Sequence, residues 1–176
     1  MTIGNFIRCA IALVFVLVVQ VELFSELRIW GVMPELLLGV SIAAAWVAGP
    51  DRGAVVGFVA GLLYDLYLPT PLALTALAYV LVAYGVGLIS AAVAQSGESS
   101  LRRVVSFTAI PIGITLFIVL GELLGEDLYG NGYVTLVIVA TIYTMVLMGP
   151  IHLLMQWAMG ANRNDARAPS RLEMVE

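Results

Sequence analysis

Apolar residues run along this chain in long unbroken stretches, separated by short clusters of charged residues, proline and glycine. Continuous runs, rather than strict apolar–polar alternation, predict helices and argue against a β-barrel. Crossing the hydrocarbon core of a bilayer takes roughly 17–25 apolar residues in a helix, and six runs meet or approach that length. They are about Ile7 to Phe24, Trp30 to Ala48, Gly53 to Leu68, Leu72 to Ala94, Val104 to Leu124 and Tyr133 to Met159. Between them lie Ser25-Glu26-Leu27-Arg28, Gly49-Pro50-Asp51-Arg52, Pro69-Thr70-Pro71, the polar loop Gln95–Arg103 and the glycine- and acid-rich stretch Gly125–Gly132. Residues 160–176 form a polar tail that reads as disordered, which leaves residues 1–159 as one transmembrane domain. The expected fold is an all-α integral membrane bundle of six transmembrane helices.

Six spans place both termini on one side, and the arginines choose that side. Arg8, Arg52, Arg102, Arg103, Arg163, Arg167 and Arg171 fall on the terminal side, and Arg28 alone falls opposite. The positive-inside rule makes the terminal side cytoplasmic, and an odd number of spans would scramble the segregation. Acids divide the other way. Glu22, Glu26, Glu35, Asp65, Glu122, Glu126 and Asp127 fall at or near the outer side, whereas Asp51, Glu98, Asp165, Glu173 and Glu176 fall inside. The outer side carries −6 and the inner side +2. Solvated loop ends account for most of this; an electronegative outer rim would also favour a basic partner segment.

Composition removes the soluble alternatives. Apolar residues make up 61% of the 176 residues, charged residues only 11%, and mean hydropathy is +1.03. Soluble domains carry about 25% charged residues, and disorder needs the opposite balance of charge and hydrophobicity. A formal charge of −4 with no lysine argues against a nucleic-acid partner. The lipid bilayer is therefore the one partner every span must have. Cys9, the single cysteine, has no partner for an internal disulfide or a thiolate metal site. The first apolar run superficially suggests a signal peptide, but no small-residue cleavage pattern follows it, so a retained anchor is expected.

The most patterned stretch is Gly53-x3-Gly57-x3-Gly61-x3-Asp65. Positions four apart on a helix drift by only about 40°, so these residues form one slanted ridge on which another helix backbone can approach closely. The fourth run offers a small face to match at Ala83, Gly87 and Ala91. The ridge could serve packing inside the chain or a partner helix. Asp65 sits just before the Pro69-Thr70-Pro71 turn, near the outer interface, where it could cap the next span or meet a partner. His152, the only histidine, follows Gly149-Pro150 and is expected to bond a backbone carbonyl freed by the proline rather than a metal. Met145, Met148, Met155 and Met159 recur on one helical face as packing. Pro111 and Pro150 interrupt the last two runs, either as kinks or along a cavity.

Enzyme signatures are missing. An intramembrane aspartyl protease needs a second membrane aspartate beside Asp65. Ser90 and His152 are the only embedded serine–base pair available, and no G-x-S-x-G elbow surrounds a serine. No phosphate loop, paired-aspartate motif or metal triad occurs. The chain is read as a non-enzyme with no catalytic residues, no cofactor and no metal.

Three segments taken in order resemble the rod shape-determining MreD family: Pro34-Glu35-Leu36-Leu37-Leu38, then Gly57-Phe58-Val59-Ala60-Gly61-Leu62-Leu63-Tyr64-Asp65, then Pro71-Leu72-Ala73-Leu74-Thr75-Ala76-Leu77-Ala78-Tyr79. The family pattern is similar to P-D-L-L-L, G-F-x-x-G-L-x-x-D and P-x-G-x-x-A-L-x-Y. Glu35 stands in place of its aspartate and Ala73 in place of its glycine. The resemblance implies a multi-pass subunit of the bacterial cytoplasmic membrane within the cell-elongation machinery. It implies binding to a bitopic MreC-like protein and indirect connection to actin-like MreB and to the polymerase and transpeptidase of lateral peptidoglycan synthesis. The family's fold is similar to the six-helix substrate-binding S-components of vitamin transporters.

The expected function is thus a non-enzymatic membrane scaffold. Gly53, Gly57, Phe58, Gly61, Asp65, Pro71 and Tyr79 are its candidate partner-binding or helix-packing residues. The rival is a substrate-binding subunit of a small-molecule, vitamin-type transporter, which requires a cavity with a few convergent polar groups near the outer side.

Overall fold

The computed structural model of the protein describes residues 3–28, 30–69, 71–96, 99–126 and 132–160. Among these residues the chain forms six helices and no β-strand. Helix α1, Ile3–Val18, runs on through a π-helical turn, Val19–Leu23, into a last turn at Phe24–Glu26. Then come α2 (Leu36–Ala48), α3 (Pro50–Asp65), α4 (Leu74–Ser96), α5 (Ser99–Leu123) and α6 (Tyr133–Met159). The polar tail after Gly160, with Arg163, Asp165, Arg167, Arg171, Glu173 and Glu176, lies outside the described residues, as do Glu98 and Asp127.

Three segments are long and apolar enough to cross a membrane: Ile3–Leu23, Ser100–Leu123 and Tyr133–Met159, with mean hydropathies of 2.3, 2.3 and 2.1. The apolar helices Leu36–Ala48 and Leu74–Ser90 are shorter. Between the helix ends the outward faces are largely apolar, with Ile11, Phe15, Val55, Leu81, Ile112 and Val146 all exposed. Apolar surface on that scale needs lipid rather than water against it.

Helix boundaries depart from the hydropathy reading by a few residues at α1, which starts at Ile3, and at α3, which takes in Pro50-Asp51-Arg52 and stops at Asp65, and by more at two helix starts. The second run was expected to be helical from about Trp30, but α2 starts at Leu36. Trp30 and Gly31 adopt left-handed φ angles of 52° and 81°, and Pro34 disfavours a helical residue before it. Conversely, α5 starts at Ser99 and takes in Leu101, Arg102 and Arg103, which read as loop by hydropathy alone. Arginine is a good helix former, and polarity at a helix end does not stop a helix.

Helix α2 is the hub. Residues Leu36 to Ala45 are all buried, and α2 packs against each of the other five helices. Its sequence explains this. Gly39, Ser41, Ala43, Ala44 and Ala45 are small, so neighbours come close, and Ser41 Oγ donates to its own helix at Leu37 O, 2.8 Å. A Cβ on Gly39 would stand 3.1 Å from Ile151, and one on Gly113 of α5 would stand 2.8 Å from Leu38. At its far end, Gly49 (φ +84°) donates to Ala45 O at 3.0 Å and Pro50 opens α3 directly. Glycine ends one helix because it tolerates that φ, and proline begins the next because its missing N–H costs nothing there.

With 13 residues, α2 is about 20 Å long, well short of the ~30 Å hydrocarbon core. Its first turn, Leu36 to Leu38, is buried, so the N–H groups there need acceptors from the protein itself. Two distant side chains meet them. Gln20, fully buried in the π-helical turn of α1, accepts from Leu37 N–H at 2.9 Å. Thr144, fully buried midway along α6, accepts from Glu35 N–H at 2.8 Å. The extra residue of a π turn rotates the helix face locally, and here the turn carries Gln20 to the start of α2. Helix α1 runs antiparallel to α6: Asn5 Nδ2 donates to Met159 O at 3.0 Å, Arg8 lies 5.7 Å over the Trp157 ring, and Phe24 meets Tyr143 edge-on at 5.4 Å.

Replacing Gln20 by leucine keeps the volume but strips the acceptor from Leu37 N–H. Leaving that donor buried and unpaired costs about 1–3 kcal/mol. We expect a lower unfolding midpoint in detergent for Gln20→Leu, while Gln20→Glu, which keeps an acceptor, retains more of the wild-type stability.

Candidate functional site

The glycine ridge of α3 faces the inside of the molecule. Gly53, Gly57 and Gly61 are all buried. A Cβ on Gly53 would lie 2.7 Å from Ala45 of α2; on Gly57, 2.8 Å from Tyr79 O and 3.3 Å from the Ala83 methyl; on Gly61, 2.4 Å from Ala76 Cα. In return, a Cβ on Gly87 of α4 would lie 2.3 Å from Pro50 Cα. The small face of α4 thus receives Gly57 at Ala83 and Pro50 at Gly87, while the Ala91 side chain lies outside the described residues. A partner helix on this ridge, one of the two expected uses, is displaced by the chain's own backbone.

Asp65 ends α3 and is 3% exposed. Leu74 N–H donates to Pro71 O at 3.3 Å, but the residue before the helix, Ala73, has no side-chain acceptor for the N–H groups that follow. Asp65 supplies one from across the turn. Thr75 N–H donates to Asp65 Oδ1 at 3.0 Å and Ala76 N–H donates to Oδ2 at 3.2 Å. These are among the first-turn donors that a helix leaves orphaned, and a carboxylate there also meets the positive end of the helix dipole.

Beside the capped turn, Tyr79 OH donates to Glu35 Oε2 at 2.7 Å. The pair lines a cavity of about 200 Å³ together with Tyr64, Thr75, Ile114 and Leu136. Thr75 is 2% exposed, and its Oγ1 has no hydrogen-bond partner among the described residues. The segment before α2 brings Glu35, the first turns of α4 bring Thr75 and Tyr79, and α5 and α6 close the apolar wall. A carboxylate, a phenol and an unpaired hydroxyl therefore converge on one mostly apolar space.

The remaining candidates fall elsewhere. Phe58 is 47% exposed on the outward face of α3, and Pro71 is half-buried in the turn before α4. At the opposite end of the molecule, His152 Nε2 lies 3.2 Å from Arg102 Nη1 and 3.2 Å from Gln156 Nε2. Its partners are side chains, not the backbone carbonyl expected from Pro150, because the first turns of α5 carry Arg102 alongside it. Among the described residues no cluster of His, Cys, Asp and Glu could hold a metal ion.

The model of one protein family, described as rod shape-determining protein MreD, matches residues 1–158. The chain belongs to the MreD family. Neither a curated protein nor a solved structure matches it. MreD proteins are rod shape-determining membrane proteins and are not known as enzymes.

The two departures from the MreD pattern have different weight in the structure. Glu35 keeps the carboxylate, which reaches Tyr79. Ala73 replaces a glycine at a position where φ is +75°, a left-handed conformation that an L side chain adopts at a cost of about 1–2 kcal/mol. The turn still forms because Leu77 N–H donates to Ala73 O at 3.0 Å and Asp65 holds two amides of the first turn.

Two substitutions test this packing. Gly61→Leu places side-chain atoms where the α4 backbone runs, so folded protein should be lost, read as disappearance of the monodisperse peak in fluorescence-detected size exclusion. Ala73→Gly removes the left-handed strain but loosens the unfolded chain, for a net gain of about 0.5–1 kcal/mol, read as a higher unfolding midpoint.

Proposed function

We propose that the protein is a non-enzymatic scaffold of the bacterial cell-elongation machinery. In this reading it crosses the cytoplasmic membrane six times with both termini inside. It binds a bitopic MreC-like partner and, through it, reaches actin-like MreB and the polymerase and transpeptidase of lateral wall synthesis. The observation that carries the reading is family membership over residues 1–158. The chemistry of the interior supports it. Gln20, Asp65, Thr144 and Ser41 are bonded to the chain's own backbone, which suits holding a shape rather than transforming a substrate.

With the glycine ridge occupied, the outward face of α3 is the surface of this helix left for a partner span. Val55, Phe58 and Val59 are exposed there, and an aromatic ring among β-branched residues gives a helix something to pack on without a hydrophobic drive. The exposed carboxylates Glu26 and Glu122 at the acid-rich end would attract a basic juxtamembrane segment, each pair contributing roughly 0.2–1 kcal/mol.

A pull-down of the tagged protein from its native membrane in gentle detergent tests both parts. A bitopic protein with a periplasmic domain, accompanied by wall-synthesis enzymes, is the expected catch. Phe58→Ala should reduce the retained bitopic partner about 5- to 10-fold, the equivalent of about 1–1.4 kcal/mol, with an unchanged size-exclusion profile. Wild-type retention by Phe58→Ala would remove this face from the interface.

The cavity favours a second reading, a membrane subunit that binds a small molecule for a transporter. Its convergent polar groups, Glu35, Thr75 and Tyr79, are the kind such a site uses to orient a ligand. Co-purification of an ATPase pair with a bound metabolite would select it over the scaffold.

A further inference from the structure

At the end of the molecule opposite Asp65, a second pocket of about 450 Å³ opens along the seam between α5 and α6. Arg102 and Arg103 line it from the first turns of α5, and His152 and Leu153 line it from α6. Trp46, near the end of α2, forms part of its wall and donates its indole N–H to Ser106 Oγ at 2.9 Å. Farther along α6 the wall is apolar, with Met145 and Met148.

Among the described residues no acid compensates the charge in this pocket. Arg102 Nη1 and Gln156 Nε2 are both donors, so His152 Nε2 accepts from them and offers no negative charge in return. Among the described residues no ion pair joins either arginine; Glu98, the nearest acid in sequence, lies outside them. Arg102 and Arg103, both exposed, share one pocket with the apolar side chains of Met145, Met148 and Leu153, which makes the site amphipathic. Guanidinium forks match phosphate oxygens in geometry as well as charge. The distribution of arginines along the chain makes this the cytoplasmic end, and the inner leaflet is where anionic lipid is met.

We propose that this seam is a binding site for an anionic phospholipid, with the phosphodiester held by Arg102 and Arg103 and one acyl chain lying along Met145, Met148 and Leu153. The second arginine sets the preference. A zwitterionic lipid presents the same phosphate but carries an ammonium that would sit beside a guanidinium, whereas phosphatidylglycerol carries only the negative charge. A soluble phosphate ester would use the arginines and leave the apolar wall bare. The site is independent of the scaffold reading and of the outer cavity.

Native mass spectrometry of the full-length, detergent-purified protein decides the matter. The probes are palmitoyl-oleoyl phosphatidylglycerol, phosphatidylcholine with the same chains, and glycerol 3-phosphate. The phosphatidylglycerol adduct should be retained about tenfold over the phosphatidylcholine adduct, with no adduct from glycerol 3-phosphate. R102Q/R103Q should bring the two lipids level without moving the unfolding midpoint of the lipid-free protein, since both arginines are exposed. A preference for phosphatidylglycerol that persists undiminished in R102Q/R103Q overturns the proposal, as does equal binding of the two lipids by the wild type. Binding of glycerol 3-phosphate as tight as that of the lipid reassigns the site to a soluble anion and overturns it too. If the double variant fails to fold, the wild type alone still decides. Raising salt from 0.1 to 1 M, which shortens the Debye length from ~10 to ~3 Å, should erase most of the preference, and a preference untouched by salt refutes the role of the arginines.

Discussion

A peptide N–H with no acceptor is expensive wherever water is excluded, and several kcal/mol is the usual cost inside a bilayer. This chain starts two helices, α2 and α4, in such places. Neither start is capped by the residue just before it. Gln20 and Thr144 reach the start of α2 from α1 and α6, and Asp65 reaches the start of α4 from α3. Because each acceptor belongs to a different helix, capping also fixes how those helices are arranged. Helix α1 cannot slide past α2 without unbonding Leu37, and α3 cannot separate from α4 without exposing Thr75 and Ala76. Hydrogen bonds that would only trim the ends of helices in a soluble protein here hold the bundle in register.

Room for that arrangement comes from small residues. Helix α2 touches five neighbours, and only a helix with glycine, serine and three successive alanines can be approached from so many sides. The α3–α4 hairpin is tighter still, since the backbones meet where a methyl group on Gly61 or Gly87 would overlap the opposite chain. Lipid offers no hydrophobic gain for bringing two apolar helices together, so dispersion between closely approached backbones and satisfied polar groups must supply the association. The cavity beside Glu35 is the complement of this economy. It lies where α2 has not yet begun, so the side chains of α4, α5 and α6 face a non-helical segment instead of a helix.

Hydropathy alone makes the helices legible, because a run of apolar residues in this composition has one stable backbone solution. The α6 boundaries are visible in the same way, whereas the glycine ridge shows as a four-residue spacing and Asp65 as a carboxylate before the next helix, with capping one of the two roles open to it. The hidden features depend on contacts distant in sequence. Gln20 reads as one polar residue in an apolar helix, and nothing local says that a π turn will aim it at Leu37. Trp30 to Glu35 reads as helix until the left-handed residues and Pro34 are weighed against it. The pairings of Tyr79 with Glu35, and of Arg102 with His152, join residues 44 and 50 apart; only the packing of the bundle decides them. One local signal is readable and points the right way: an alanine where the family pattern has glycine marks a strained φ.

The direction of the α3 ridge follows from the same physics. Helix α3 is neither one of the long apolar spans nor one of the shorter apolar helices. Asp51, Arg52, Tyr64 and Asp65 crowd its 16 residues, so it has the least to gain from facing lipid and the most to gain from neighbours. A helix of that kind needs its own chain on its glycine face before it can present a stable outer face to anything else. Internal packing of Gly57 and Gly61 is thus a precondition for an interface at Phe58, on the outward face of the same helix, and any partner that demanded the glycines for itself would dismantle the surface it came to bind.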